Sequence, residues 1–382
     1  MWQMKKLGDV CEVVAGQSPE GKYYNTECVG LPFYQGKKEY GDKYLKPPVK
    51  WTSKVSKIAL EGDIVMSVRA PVGPVNIVTE EICIGRGLAA IRAKHVDRSF
   101  LYLFLLSIQK TLVGSNGAVF NSINRKQIES ISISVPPIDT QQKIVAKLDL
   151  AFSDIDKAKE NAERNLKNVR ELFDCYLQSV FSQKGDDWKE LTLEQASIDF
   201  GRGKSKHRPR NDPALYDGDY PFVQTGDVRG CEHVITAYSK TYNDAGLAQS
   251  KLWPKGTICI TIAANIAETG ILGFDGCFPD SVIGVVVDPE ITTVAYTEFL
   301  LQSFKAILKA KGKGSAQDNI NLGTFEKMTF PFPSLKEQQD IVDVLLELNK
   351  SVIELESIYK KKIETLDELK QSILQKAFSG EL

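Results

Sequence analysis

The densest run of groups able to bind or react is Gly201–Arg210, GRGKSKHRPR. Arg202, Lys204, Lys206, His207, Arg208 and Arg210 are interleaved there with glycine and serine. Such a loop suits phosphates or the acceptor edge of guanine, the alternative being a solvated charged loop. GRGKS also has the outline of an ATP phosphate loop, but Ile198 stands where GxxxxGKS needs glycine. PPID (Pro136–Asp139) resembles part of a nuclease motif, yet the matching stretch later in the chain is FPSL, without the acid. Pro47-Pro48 lies between Lys46 and Val49, so an Asn-Pro-Pro-Tyr adenine-flipping motif is missing. No Ser-His-Asp set or carboxylate pair can be argued. Together these gaps favour binding over catalysis.

The seven cysteines are scattered singly, with no CxxC pair, and an odd number argues against a disulfide framework. Cys231 and His233 are close, but no second ligand pair stands at zinc spacing, so no metal is expected. No apolar run is long enough to span a bilayer, and MWQMKKLGDV has no apolar stretch before a cleavage site. A cytoplasmic, non-exported protein is expected. Its net charge of −1 does not advertise nucleic acid. Locally the picture differs: Met1–Pro137 holds 18 Lys/Arg against 12 Asp/Glu, and Asp186–Ser334 holds 15 against 19, five of those bases in the Gly201–Arg210 loop. DNA binding would therefore belong to patches.

The elements that carry these loops are duplicated. GAVFNSINRKQIESISISVPPIDTQQKIV (Gly117–Val145) lies over GSAQDNINLGTFEKMTFPFPSLKEQQDIV (Gly314–Val342) at a constant offset of 197. The register continues to YLQSVFS (Tyr176–Ser182) over ILQKAFS (Ile373–Ser379). Upstream the match needs small gaps: LPFYQG lies over YPFVQTGD, GDIVMSV over GTICITI, and Cys83 over Cys277. Each half is a variable module followed by a tail of about 45 residues. The boundaries read as a first variable module 1–137, a helix 138–185, a second module 186–334 and a second helix 335–382.

Both tails carry an apolar stripe with 4,3 spacing. The first runs through Ile144, Leu148, Ala151, Ile155, Ala158, Ala162, Leu166, Val169, Phe173, Tyr176 and Val180. The second runs through Ile341, Leu345, Leu348, Val352, Leu355, Tyr359, Ile363, Leu366, Lys370, Ile373 and Ala377, with Lys370 the one break. A 4,4 step at Ala162–Leu166 and again at Tyr359–Ile363 reads as a stutter. Ser334 with Glu337 forms a capping box, and Asp139 with Gln142 can play similar parts. At 1.5 Å per residue each tail would be a rod of roughly 65 Å. An antiparallel pair of rods, with the modules at opposite ends related by a pseudo-two-fold, is the economical topology; packing of each tail on its own module or on a partner is the alternative. Short β runs (Asp63–Val68, Ile82–Ala93, Ile131–Val135, Thr257–Ala263, Val282–Val287) and one helix per module (Ser99–Val113, Thr297–Ala310) make the fold class α+β.

Loops that recur in both modules with different side chains are the candidate readers. The first pair is Gly16–Tyr24, with Gln17, Ser18 and Lys22, against the basic loop. The second is Tyr34–Tyr44 against Val223–Gly230, with Tyr34, Gln35, Lys37 and Lys38 facing Gln224, Thr225, Asp227 and Arg229. Gln35 and Gln224 align and could read adenine bidentately or make a structural hydrogen bond. The third is Val113–Asn124 against Lys311–Asn321, with Asn116, Asn121, Lys311, Lys313, Gln317 and Asn319. Arg69 and Arg86, beside small residues, are a fourth candidate, the alternative being surface ion pairs.

The segment pair SVPPIDTQQKIV / FPFPSLKEQQDIV, the paired heptad tails, the ending LKQSILQKAFSGEL and the segments W…KLGDV…GQSP and GDIVMSVRAPVG resemble the specificity subunits of type I restriction-modification systems over essentially the whole chain. That resemblance implies two tandem target-recognition domains, each followed by a long helix, reading a bipartite site on double-stranded DNA. It also implies two methyltransferase subunits and the endonuclease/translocase subunits as partners. S-adenosylmethionine, ATP and Mg would be held by those partners, with no cofactor on this chain and no catalysis by it. A non-catalytic coiled-coil scaffold joining protein partners is the competing reading.

Overall fold

The computed structural model describes residues 2–112, 122–207, 209–263, 266–312, 320 and 322–381. It divides into two compact units, Met1–Glu163 with Lys360–Leu382, and Arg164–Tyr359. Each unit contains one variable module and a stretch of both long helices, Ile138–Ser182 and Leu335–Ser379.

In the first unit a four-stranded antiparallel sheet has the order Cys11–Ala15, Leu88–Ala93, Ile64–Ser67, Val75–Ile77. Of its central strands, Ile64–Ser67 is buried throughout and Leu88–Ala93 as far as Ile91, because both faces are covered there. Ile64, Met66, Ala89 and Ile91 point into the core beneath the helix Arg98–Ser107, while Val65, Leu88 and Ala90 enter a second cluster with Tyr34 and Ile84. The alternation is the period of two that a strand imposes. The expected run Ile82–Ala93 is two strands, Ile82–Ile84 and Leu88–Ala93, in different sheets. Gly85 and Gly87 break it, since a Cβ on Gly87 would lie 2.4 Å from the Gln35 carbonyl oxygen.

The second unit repeats this sheet as Ser197–Arg202, Val282–Val287, Ile258–Thr261, Thr269–Leu272, with Val234–Ile235 added at the edge. The offset of 197 recurs in the element bounds. Arg125–Glu129 matches Leu322–Glu326, Ser132–Val135 matches Thr329–Phe332, and the two long helices match end to end. The units diverge where the sequence match is loosest. A five-stranded sheet around Leu31–Tyr34 and Ile82–Ile84 in the first has the two-stranded ribbon Tyr216–Phe222 with Lys240–Tyr242 as its counterpart.

Within the first unit the long helices run antiparallel. Lys159 bonds Asp367 at 2.7 Å and Lys370 bonds Asp156 at 2.7 Å, with the Lys370 ammonium over the Phe152 ring. Ile144, Leu148, Leu374 and Ala377 join them to the module core, with Ile155 buried and Ile373 half-buried. In the second unit Phe173, Leu345 and Val352 lie in one core with the module sheet, and Val169 and Ile341 pack against it. Leu166, Ile363 and Leu366 are half-buried.

Two stripe positions are corrected. Leu355 is 41% exposed and Tyr176 39% exposed. On the second helix the buried side runs through Val342, Leu345, Asn349 and Val352 to Glu356, which pairs with Arg170 at 2.8 Å. With Glu356 in the stripe the 4,3 alternation needs no stutter at Tyr359–Ile363. On the first helix Leu177, rather than Tyr176, enters the core. Of the expected caps, Ser334 Oγ accepts from Glu337 N–H at 3.3 Å, but the Glu337 carboxylate accepts from Trp188 Nε1. Asp139 lies inside the first helical turn, not at its cap.

Candidate nucleic-acid interface

In the first unit two candidate loops meet at the turn Gly85-Arg86-Gly87. Gly16 N–H donates to the Leu88 carbonyl at 2.9 Å and Gln17 N–H to the Ile84 carbonyl at 3.0 Å. Arg86 N–H donates to Ser18 Oγ at 3.2 Å, and Gly85 N–H to the Tyr34 carbonyl at 2.8 Å. A Cβ on Gly16 would sit 2.2 Å from the Gly85 carbonyl oxygen, so only glycine lets the strands close this far. The fourth candidate joins them: Val68 N–H donates to the Gly87 carbonyl, and Arg69 forms a bridge with Ser122. Gln17, Gln35, Arg69 and Arg86 are exposed around this turn, and Ser18 is half-buried. Lys37 and Lys38 follow on an exposed 3-10 turn, and Lys22 lies on another, paired with Glu20 and over the Tyr23 ring.

Tyr34 is not a reader. It is 3% exposed, its hydroxyl donates to the Lys46 carbonyl, and its ring belongs to the core cluster with Val65 and Ile84.

The second unit builds the same junction with different chemistry. Gly203 N–H donates to the Val282 carbonyl at 2.9 Å, as Gly16 does to Leu88. Phe222 pairs in parallel with Cys277 as Phe33 does with Cys83, which places Gln224 where Gln35 lies. The turn itself reads Pro279-Asp280-Ser281. Where the first unit carries the Arg86 guanidinium, the second therefore carries a carboxylate. Arg210 Nη2 lies 2.8 Å from both Asp280 oxygens, and Arg202 Nε donates to the Asp280 carbonyl at 2.9 Å. A cavity of about 200 Å³ opens here, lined by Ser205, Arg210, Gln224, Thr225, Lys240 and Ser281 among others.

The basic loop is thus partly tied down. His207 Nε2 lies 2.8 Å from Asp212, whose carboxyl is held below its ordinary range by the Ala214 N–H and then by His207. Lys204 and Lys206 are exposed. Asp227 closes the capping box of its helix, whose N-cap is Gln224: its Oδ2 accepts the Gln224 N–H at 2.7 Å and the Ser239 hydroxyl at 3.3 Å, which gives it a structural task. Arg229 projects from the same short helix, Thr225–Gly230. Asn116, Asn121, Arg208, Lys313, Gln317, Asn319 and the Lys311 side chain lie outside the described residues.

Sequence reasoning missed Asp280, Ser281 and Lys240. The signal was present, since Cys83 over Cys277 puts Arg86 over Asp280 three residues on. The Cys231 and His233 side chains, considered as a metal pair, have other partners. The thiol donates to the Val228 carbonyl, and burial pushes its pKa up to about 11. The imidazole contacts Glu298 through Nδ1 and Asn349 through Nε2.

The model of the type I restriction modification DNA specificity domain matches residues 1–164 and again 186–365. The chain belongs to this family. Among curated relatives of this specificity-domain protein, the putative MjaX specificity subunit of Methanocaldococcus jannaschii is 41% identical over 180 residues, 45% of this chain and 42% of the relative. The EcoKI specificity subunit of Escherichia coli is 23% identical over 314 residues, 75% of this chain and 64% of the relative. The chain thus spans less than two thirds of these relatives' length. Among solved structures, a chain from a study of complex assembly and conformational transition in the type I R-M system superposes with TM-score 0.79 at 19% identity, covering 100% of this chain and 98% of that one. The HsdS subunit of Thermoanaerobacter tengcongensis gives 0.61 at 18%, with coverage of 100% and 97%. These likenesses show the fold, two specificity-domain repeats with long helices. Among the described residues no helix is long and apolar enough to cross a membrane.

Proposed function

We propose that this chain is the sequence-reading subunit of a type I restriction-modification complex. Each module reads one half of a bipartite site on double-stranded DNA, and the paired helices set the spacing and dock two methyltransferase subunits. Methyl transfer, ATP-driven translocation and cleavage belong to partner subunits, which hold S-adenosylmethionine, ATP and Mg. The complex works in the cytoplasm, where the DNA is.

The observation that carries this reading is the repeated three-loop junction with opposite chemistry at its tip, Arg86 in one unit and Asp280 with Arg210 in the other. A guanidinium offers paired donors to guanine O6 and N7, whereas a carboxylate accepts from the cytosine amino group and orients neighbouring arginines. One scaffold then yields two different half-sites.

The test is a map of adenine methylation in cells with the gene present and deleted. The expected result is one interrupted motif, two short specific stretches separated by unspecified bases, that disappears on deletion. An unchanged map in a strain with active partner subunits would overturn the reading.

A further inference from the structure

Each long helix starts with a buried glutamine that the reading of DNA loops does not use. Gln141 is 1% exposed and Gln338 is 0% exposed, and they stand 197 residues apart. In the first unit Gln141 Oε1 accepts the Asp97 N–H at 2.8 Å, and its Nε2 donates to the Pro136 carbonyl at 2.8 Å. In the second unit Gln338 Oε1 accepts the Thr293 N–H at 3.1 Å and the Thr292 hydroxyl at 2.9 Å. Its Nε2 donates to the Pro333 carbonyl at 3.0 Å and the Ile291 carbonyl at 2.8 Å.

The partners are equivalent backbone groups. Asp97 and Thr293 are the N-caps of the module helices Arg98–Ser107 and Val294–Ser303, and Pro136 and Pro333 directly follow the strands that lead into the long helices. One amide therefore ties three elements: the end of the strand, the first turn of the long helix and the start of the module helix. It has a single workable orientation, because a flipped amide would set its oxygen against carbonyls and its NH₂ against an N–H. Apolar side chains packed at the same place would hold the distance between these elements but not the angle, since dispersion contacts are non-directional.

We propose that Gln141 and Gln338 are positioning residues that fix the angle at which each module is carried on its long helix, and so make the complex selective for the length of the DNA spacer. The inference rests on the proposed reading of a bipartite site. A mispositioned module would still present its own loops intact, so half-site preference stays while spacer selectivity falls. A glutamine that served stability alone would lower both together or neither.

The experiment uses the full chain assembled with its methyltransferase subunits. Adenine methylation is measured on a DNA library in which the spacer varies by one base pair either way and each half-site carries single-base changes. Gln141→Met and Gln338→Met keep chain length and volume. Thr292→Val removes one of the Gln338 partners with an isosteric side chain, and decides the matter if the Met variants fail to assemble. The expected result is that off-length spacers gain about fivefold relative to the optimal one, the scale of one lost buried hydrogen bond, with half-site penalties unchanged. The gain should be smaller for Thr292→Val. Spacer selectivity within about twofold of the original in the assembled variants would overturn the assignment. If the unmodified complex shows no preference for half-sites at all, the DNA-reading function fails first and this inference falls with it.

Discussion

Arg86 is the single side chain on which the two junctions differ most. Its backbone is pinned by Ser18 and flanked by Gly87, which excludes a Cβ, and by the tightly packed Gly85, while its guanidinium is exposed. A fixed backbone with an exposed cation suits reading a base edge. Arg86→Ala should therefore cost about 1–3 kcal/mol of discrimination at one base pair of the first half-site, measured by binding of the assembled complex to singly substituted sites. A uniform loss across all sequences, with a shallower salt dependence, would mark Arg86 as a phosphate contact instead. In the second unit Asp280→Asn removes the charge that holds Arg210, so only the second half-site should relax; an effect on the first would contradict the independence of the readers. At this scale the sequence was half legible. Gln35 and Gln224 are placed alike because their strands pair alike with Cys83 and Cys277. Tyr34 and Asp227 look like readers by residue type, and only the fold shows the ring inside the core and the carboxylate in a capping box.

At the scale of elements, the long helices were legible because a 4,3 apolar stripe over 45 residues has no other soluble explanation. The phase of the stripe differs near Leu355 because polar residues hold its positions there: Asn349 and Glu356. Such a residue is invisible to a hydrophobic pattern until its partner is known. Leu345→Ala, in the core of the second unit, should cost about 2–5 kcal/mol in chemical denaturation. Lys370→Leu should change stability by about 1 kcal/mol or less in either direction, because the pair it removes is largely exposed. His233 ties the second module to the second long helix through Asn349. The Glu298 carboxylate beside it raises its pKa above the ordinary 6.5, with Glu232 adding and Arg170 and burial opposing. Its contribution to stability is thus complete below about pH 6.5 and fades as pH rises through the raised value. The melting-temperature gap between the unaltered chain and His233→Gln should be widest in mild acid and shrink in alkali. A gap constant from pH 5 to 9 would refute the linkage.

For the whole molecule, the duplication was the most legible feature, since an offset of 197 in the sequence recurs as an offset of 197 in helices and strands. The candidate reading loops were the least legible, because they diverge in length and their meeting point depends on glycine contacts between distant segments. The central claim is that two modules of common design act as separate readers. Its most direct test exchanges residues 186–334 for the corresponding module of a relative and determines the methylated sequence of the assembled complex. The account predicts that one half-site changes while the other half-site and the spacer stay as they were. A change in both half-sites, or in neither, would contradict it.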